Sequence, residues 1–118
     1  MTDPHTAEAL RSIACRPMAR ADAMDPASVA AQLSVLPRWR LVGGALQADY
    51  RFPDWWEAIA FVNALAWMVH AQDHHPDLLV SYDRCTVRFG THSAGGVTLN
   101  DFVCAACADA VYDARPSR

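Results

Sequence analysis

Across a single Pro53-Asp54 step, the apolar period of this 118-residue chain changes from that of a strand to that of a helix. Before the step, Leu46, Ala48, Tyr50 and Phe52 alternate with Gln47, Asp49 and Arg51, the pattern of a strand with one wet and one buried face. After it, Ala58, Phe61, Leu65 and Met68, flanked by Val62 and Val69, form the apolar stripe of a helix packed on a sheet. Pro53 ends the strand, and Asp54 with Glu57 three residues later opens the helix in the manner of a capping box. A chain built this way has to lay an amphipathic helix over the buried face of a sheet.

The flanking segments repeat the theme. Asp25-Pro26 places an N-cap residue before a proline at the first helical position, and Val29, Leu33 and Leu36 follow at helical spacing up to Pro37. Trp39 to Val42, Gly43-Gly44 and Leu46 to Phe52 read as a β-hairpin. Leu78 to Tyr82 and Cys85 to Thr91 read as two strands joined by a tight turn at Asp83-Arg84. Thr98-Leu99-Asn100-Asp101 caps a final helix from Phe102 to about Tyr112. The expected fold is α+β: a four-stranded antiparallel sheet with three helices on one face, in the order α-β-β-α-β-β-α. Residues 25–113 form the domain and 114–118 a short tail. Residues 1–24 have weak periodicity and two prolines, and are expected to be a flexible, dispensable extension with at most a fragment of helix near Ala7 to Ala14.

Composition narrows the function. A formal net charge of −3 gives no general attraction to nucleic acid or anionic lipid. No stretch approaches the ~20 apolar residues of a membrane span, and Met1 to Ala23 has no apolar core of a secretory signal. Cys104-x-x-Cys107 falls in the apolar run of the last helix, with no second such pair, so these cysteines read as buried free thiols. The expected location is the cytoplasm.

Four of the five histidines, His70, His74, His75 and His92, fall within 23 residues. Histidine both gives and takes a proton near neutral pH. If the last two strands pair through the Asp83-Arg84 turn, His92 at the end of one returns beside His74 and His75 at the start of the other, making one pocket at one edge of the sheet. A helix C-terminus there, with Asp73 and Asp77 nearby, would raise a histidine pKa. Such a site suits general acid–base catalysis. A metal site of His70, His74 and His92 with Cys85 or Asp73 is the weaker reading, because His70 and His74 have helical spacing but lack the glutamate of a zinc-protease helix. Ser81 and Ser93 lack the context of a hydrolase nucleophile.

The pattern His70-x3-His74-His75-Pro76-x5-Tyr82-x9-His92-x8-Asp101 resembles the signature of the pterin-4a-carbinolamine dehydratases, and Thr91-His92-x-Ala94-Gly95-Gly96-Val97-Thr98 resembles a stretch of their bacterial members. The likeness spans residues 25 to 112. It implies the same α+β fold and the loss of water from a 4a-hydroxy-tetrahydropterin to give the quinonoid dihydropterin, in tetrahydrobiopterin recycling, without metal or cofactor. It further implies His74 and His92 as the acid–base pair and His75 as the residue holding the pterin. His70, Asp73, Pro76, Thr91 and Asp101 would contribute to substrate binding. Relatives often carry Glu at the position of His70, and Asp101 also reads as a helix cap. The resemblance implies homodimers or homotetramers. The alternatives are a non-catalytic dimerisation, scaffold or coactivator role on the same fold, or a dehydratase of a different pterin.

Overall fold

The computed structural model of the protein describes residues 3–116. The three helices and four strands of the expected order are all present, with an additional short helix ahead of them. We label the helices α1 (Ala7–Arg11), α2 (Pro26–Leu33), α3 (Trp55–Gln72) and α4 (Leu99–Asp113), and the strands β1 (Arg40–Val42), β2 (Ala45–Arg51), β3 (Asp77–Ser81) and β4 (Arg84–Phe89). All neighbouring strands are antiparallel, in the spatial order β1-β2-β4-β3.

Local chemistry explains the boundaries. The Asp25 carboxylate accepts from the Ser28 N–H at 2.7 Å, and the Asp54 carboxylate from the Glu57 N–H at 2.9 Å, each satisfying a donor left open at a helix start. Gly43 and Gly44 have φ of +55° and +78°, the paired left-handed conformation that a two-residue hairpin turn requires. On β2 and β4, Leu46, Ala48, Tyr50, Cys85, Val87 and Phe89 are buried under the helices, while Gln47, Asp49, Thr86 and Arg88 face away. Tyr50 and Trp39 are both buried, and both donate to Asp109 Oδ1, at 2.6 and 3.0 Å, so their polar ends are not stranded.

The N-terminal segment departs from expectation. It is docked, not free. Thr6 caps α1, Leu10 is completely buried, and α1 packs on α4. The Gln32 amide exchanges hydrogen bonds with the His5 backbone at 3.0 and 2.7 Å, and the Met24 N–H donates to the Val97 carbonyl at 2.9 Å. With the sheet side of α4 covered by the core and its other side by this segment, six consecutive-to-neighbouring residues from Phe102 to Ala108 are buried. Residues 114–116 also make contacts: the Arg115 guanidinium lies 3.8 Å from the Tyr112 ring centroid. The last two residues of the expected tail, and the first two of the chain, lie outside the described residues.

Candidate active site

The end of α3 fixes His74. Asp73 adopts a left-handed conformation (φ 50°, ψ 41°), its N–H donates to the His70 carbonyl at 3.2 Å, and the His74 N–H donates to the Val69 carbonyl at 3.3 Å. This is a Schellman motif with aspartate where glycine is commonest. It turns the chain so that the His74 ring stacks on Phe89, with centroids 6.1 Å apart and planes 13° apart.

From there His74 Nε2 lies 2.6 Å from Asp101 Oδ1. Asp101 is completely buried. Its Oδ2 accepts from the Thr98 N–H at 2.9 Å and from the Thr91 hydroxyl at 2.7 Å. Because the single Thr91 proton goes to the carboxylate, Thr98 is the donor in the 2.9 Å contact between the two threonine hydroxyls. Asp101 is therefore both the cap of α4 and the partner of His74. It has no surface of its own to offer a substrate, and its carboxylate bonds run to His74, Thr91 and Thr98. The bond to Asp101 holds His74 above the ordinary imidazole value of 6.5, burial opposes this, and the charges of Asp101 and Cys15 reinforce it. The cause is thus a residue 27 positions away, not the helix end or Asp73 and Asp77.

Two cavities meet at this place. The first, of about 300 Å³, draws its polar groups from His75, Asp77, Arg88, Thr91 and His92, and all five glycines of the chain line it too. A Cβ added at Gly44, Gly95 or Gly96 would meet nothing within 4 Å, so the backbone there stands open to a ligand. The second, of about 310 Å³, is lined by His74, Asp73, Gln72, Ser93, Asn100 and residues 15–18 of the N-terminal segment. Thr91 lines both. Pairing of β3 with β4, Asp77 opposite Arg88, is what carries His92 back beside His75.

The single pocket read from sequence is therefore divided. His75 and His92 are exposed and share the first cavity, while His74 lines the second, its side chain 12% exposed. Asp73 accompanies His74, Pro76 is half-buried just after His75 and lines neither cavity, and His70, exposed on the last turn of α3, lines neither as well. Cys85 is buried in β4, and among the described residues no three His, Cys, Asp or Glu side chains are grouped to hold a metal. Sequence reasoning missed Arg88. Its Nη1 donates to the Val42 carbonyl at 3.0 Å and to Gln47 Oε1 at 2.8 Å, which fixes the guanidinium at the first cavity. The signal was available: Arg88 is an outward residue of β4, in register with Gln47 and Asp77. Cys15 and Arg16 gave no such signal.

Comparison with known proteins places the chain among relatives. Residues 22–111 match the family model described as pterin 4 alpha carbinolamine dehydratase. A protein of Chromobacterium violaceum, provisionally named a pterin-4-alpha-carbinolamine dehydratase, is 47% identical over 103 residues, covering 87% of this chain and 95% of that one. One of Xanthomonas oryzae pv. oryzae with the same provisional name is 52% identical over 89 residues, covering 74% and 75%. A crystal structure described as a transcriptional coactivator/pterin dehydratase from Brucella melitensis superposes with a TM-score of 0.73 at 28% identity, covering 76% of this chain and 98% of that one.

Proposed function

The chain belongs to the pterin 4 alpha carbinolamine dehydratase family, and from that membership and the geometry of the site we propose that it removes water from a 4a-hydroxy-tetrahydropterin. The observation that carries the reading is the buried Asp101, which orients His74 and favours its protonated form beside the cavity that holds His75 and His92. Loss of water needs one proton delivered to the leaving hydroxyl and one removed from a ring N–H. His74 delivers the first as an imidazolium, its orientation set by Asp101. His92 takes the second as the general base. His75 holds the ring.

The substrate would lie against Thr91, the side chain common to both cavities, so that His74 and His92 reach it from two sides. The open glycine backbone admits a flat ring closely, and Arg88 and Asp77 present a donor and an acceptor to its carbonyl and amino edge. The product is the quinonoid dihydropterin, which would place the protein in tetrahydrobiopterin recycling. The direct test is stopped-flow decay of a freshly generated 4a-hydroxy-tetrahydropterin with and without the protein. Acceleration at catalytic protein concentration supports the proposal, and decay at the spontaneous rate refutes it. In that event the non-catalytic reading takes its place, favoured by the coactivator description of the Brucella melitensis protein and by the exposed Trp56 and Trp67.

A further inference from the structure

Between α4 and the N-terminal segment, Cys15 Sγ lies 3.7 Å from Cys104 Sγ. The approach is not incidental to a loose terminus. The Cys15 N–H donates to Gln72 Oε1 at 2.8 Å, the Arg16 N–H donates to Asn100 Oδ1 at 3.2 Å, and Asn100 Nδ2 donates back to the Arg16 carbonyl at 2.6 Å. Two side chains from two helices thus clamp the backbone on both sides of Cys15. Asn100 is itself buried.

The two sulfurs differ in the way that a reactive pair requires. Cys15 is half-buried and lines the 310 Å³ cavity beside His74, so a small solute can reach it. Cys104 is completely buried directly behind it. We propose that Cys15 and Cys104 form a hydroperoxide-responsive dithiol, which closes to a disulfide and ties the N-terminal segment to α4 as the wall of the His74 cavity. The Cys15 thiolate attacks one peroxide oxygen, giving the sulfenic acid and hydroxide. Cys104 sulfur then attacks Cys15 sulfur and expels the second oxygen as hydroxide. With the two thiol protons, two waters leave, and two thiols have been oxidised by one peroxide.

The electrostatics run the same way. Contact with Cys104 holds the Cys15 thiol below its ordinary value, burial opposes this, and the charge of His74 adds to the lowering. The same contact and burial hold Cys104 high. Attack therefore begins at the accessible sulfur, and the buried one resolves it. Cys85 is the internal control: it is buried in β4, and burial pushes its thiol up to about 11.

The test is independent of dehydratase activity. Full-length protein is exposed to a few equivalents of hydrogen peroxide, quenched with a thiol-blocking reagent and weighed intact, then digested with trypsin without reduction. The expected result, once the protein is denatured and blocked, is two fewer blocking groups than on unexposed protein, with no added oxygen, and a cross-link between the peptide carrying Cys15 and that carrying Cys104 and Cys107. The link should persist in Cys107→Ser and vanish in Cys15→Ser and Cys104→Ser, with each variant melting cooperatively before treatment. Addition of oxygen without cross-linking, a Cys104–Cys107 bond within one peptide, or a link that survives Cys104→Ser would overturn the proposal.

Discussion

At the scale of single residues, the site turns on one buried carboxylate. A buried charge is tolerated only when its hydrogen bonds are complete, and Asp101 completes them with His74, Thr91 and Thr98. Replacing Asp101 with Asn keeps the shape and removes the charge. The His74 pKa, followed by NMR titration, is expected to fall toward the ordinary imidazole value in Asp101→Asn, and an unchanged value would show that another group holds it up. The linkage has a definite sign. Because the folded His74 value lies above the unfolded one, the contact contributes its full stability below 6.5 and loses it as pH rises through the folded value. Denaturation curves of wild type and His74→Ala should therefore lie furthest apart in mild acid and converge in alkali. Arg88 lines the first cavity, apart from His74. If it binds the pterin edge equally in ground and transition states, Arg88→Ala should raise KM roughly tenfold or more, the ~1.5–3 kcal/mol of a charged hydrogen bond, with kcat little changed.

At the scale of elements, the order of helices and strands was legible because each boundary carries its own local chemistry. Asp25-Pro26, Gly43-Gly44, Pro53-Asp54 and Thr98 to Asp101 mark four of them within a few residues each. The convergence of His75 and His92 was legible too, since it needs only the β3–β4 hairpin. What local pattern does not encode is a partner far along the chain. Asp101 read as a cap because the cap is local, while its bond to His74 spans 27 positions. The N-terminal segment read as free for the same reason: its anchors, Gln72 and Asn100, stand 57 and 84 positions from the groups they hold. Its short α1 shows one buried side chain, Leu10, too few for an amphipathic stripe. Deletion of residues 1–23 should lower the melting temperature by about 10 °C, since exposing a buried leucine alone costs roughly 2–5 kcal/mol. An unchanged melt would mean that the docked segment adds nothing to stability.

At the scale of the whole molecule, several large apolar side chains stand in water. Trp56, Trp67 and Leu79 are 74%, 79% and 70% exposed, large apolar side chains left in water on α3 and the edge strand β3. Trp55 and Trp56, adjacent in sequence, both face outward in part, since one helix turn cannot turn both into the core. Such surface is typical of an interface, and sedimentation at micromolar concentration is expected to show dimers or tetramers. A clean monomer would contradict that. No helix among the described residues is long and apolar enough to cross a membrane. The molecule as a whole is then a scaffold that brings a charge-partnered histidine and two exposed ones to the same end of a sheet. The measurement that tests this account most directly is stopped-flow dehydration of a 4a-hydroxy-tetrahydropterin by wild type, His74→Ala, His92→Ala and the double variant, with circular dichroism to verify each fold. General acid–base catalysis predicts that each single change lowers turnover by roughly 10²-fold or more and that the folded double variant approaches the spontaneous rate. A folded double variant that dehydrates the substrate at the wild-type rate would contradict it.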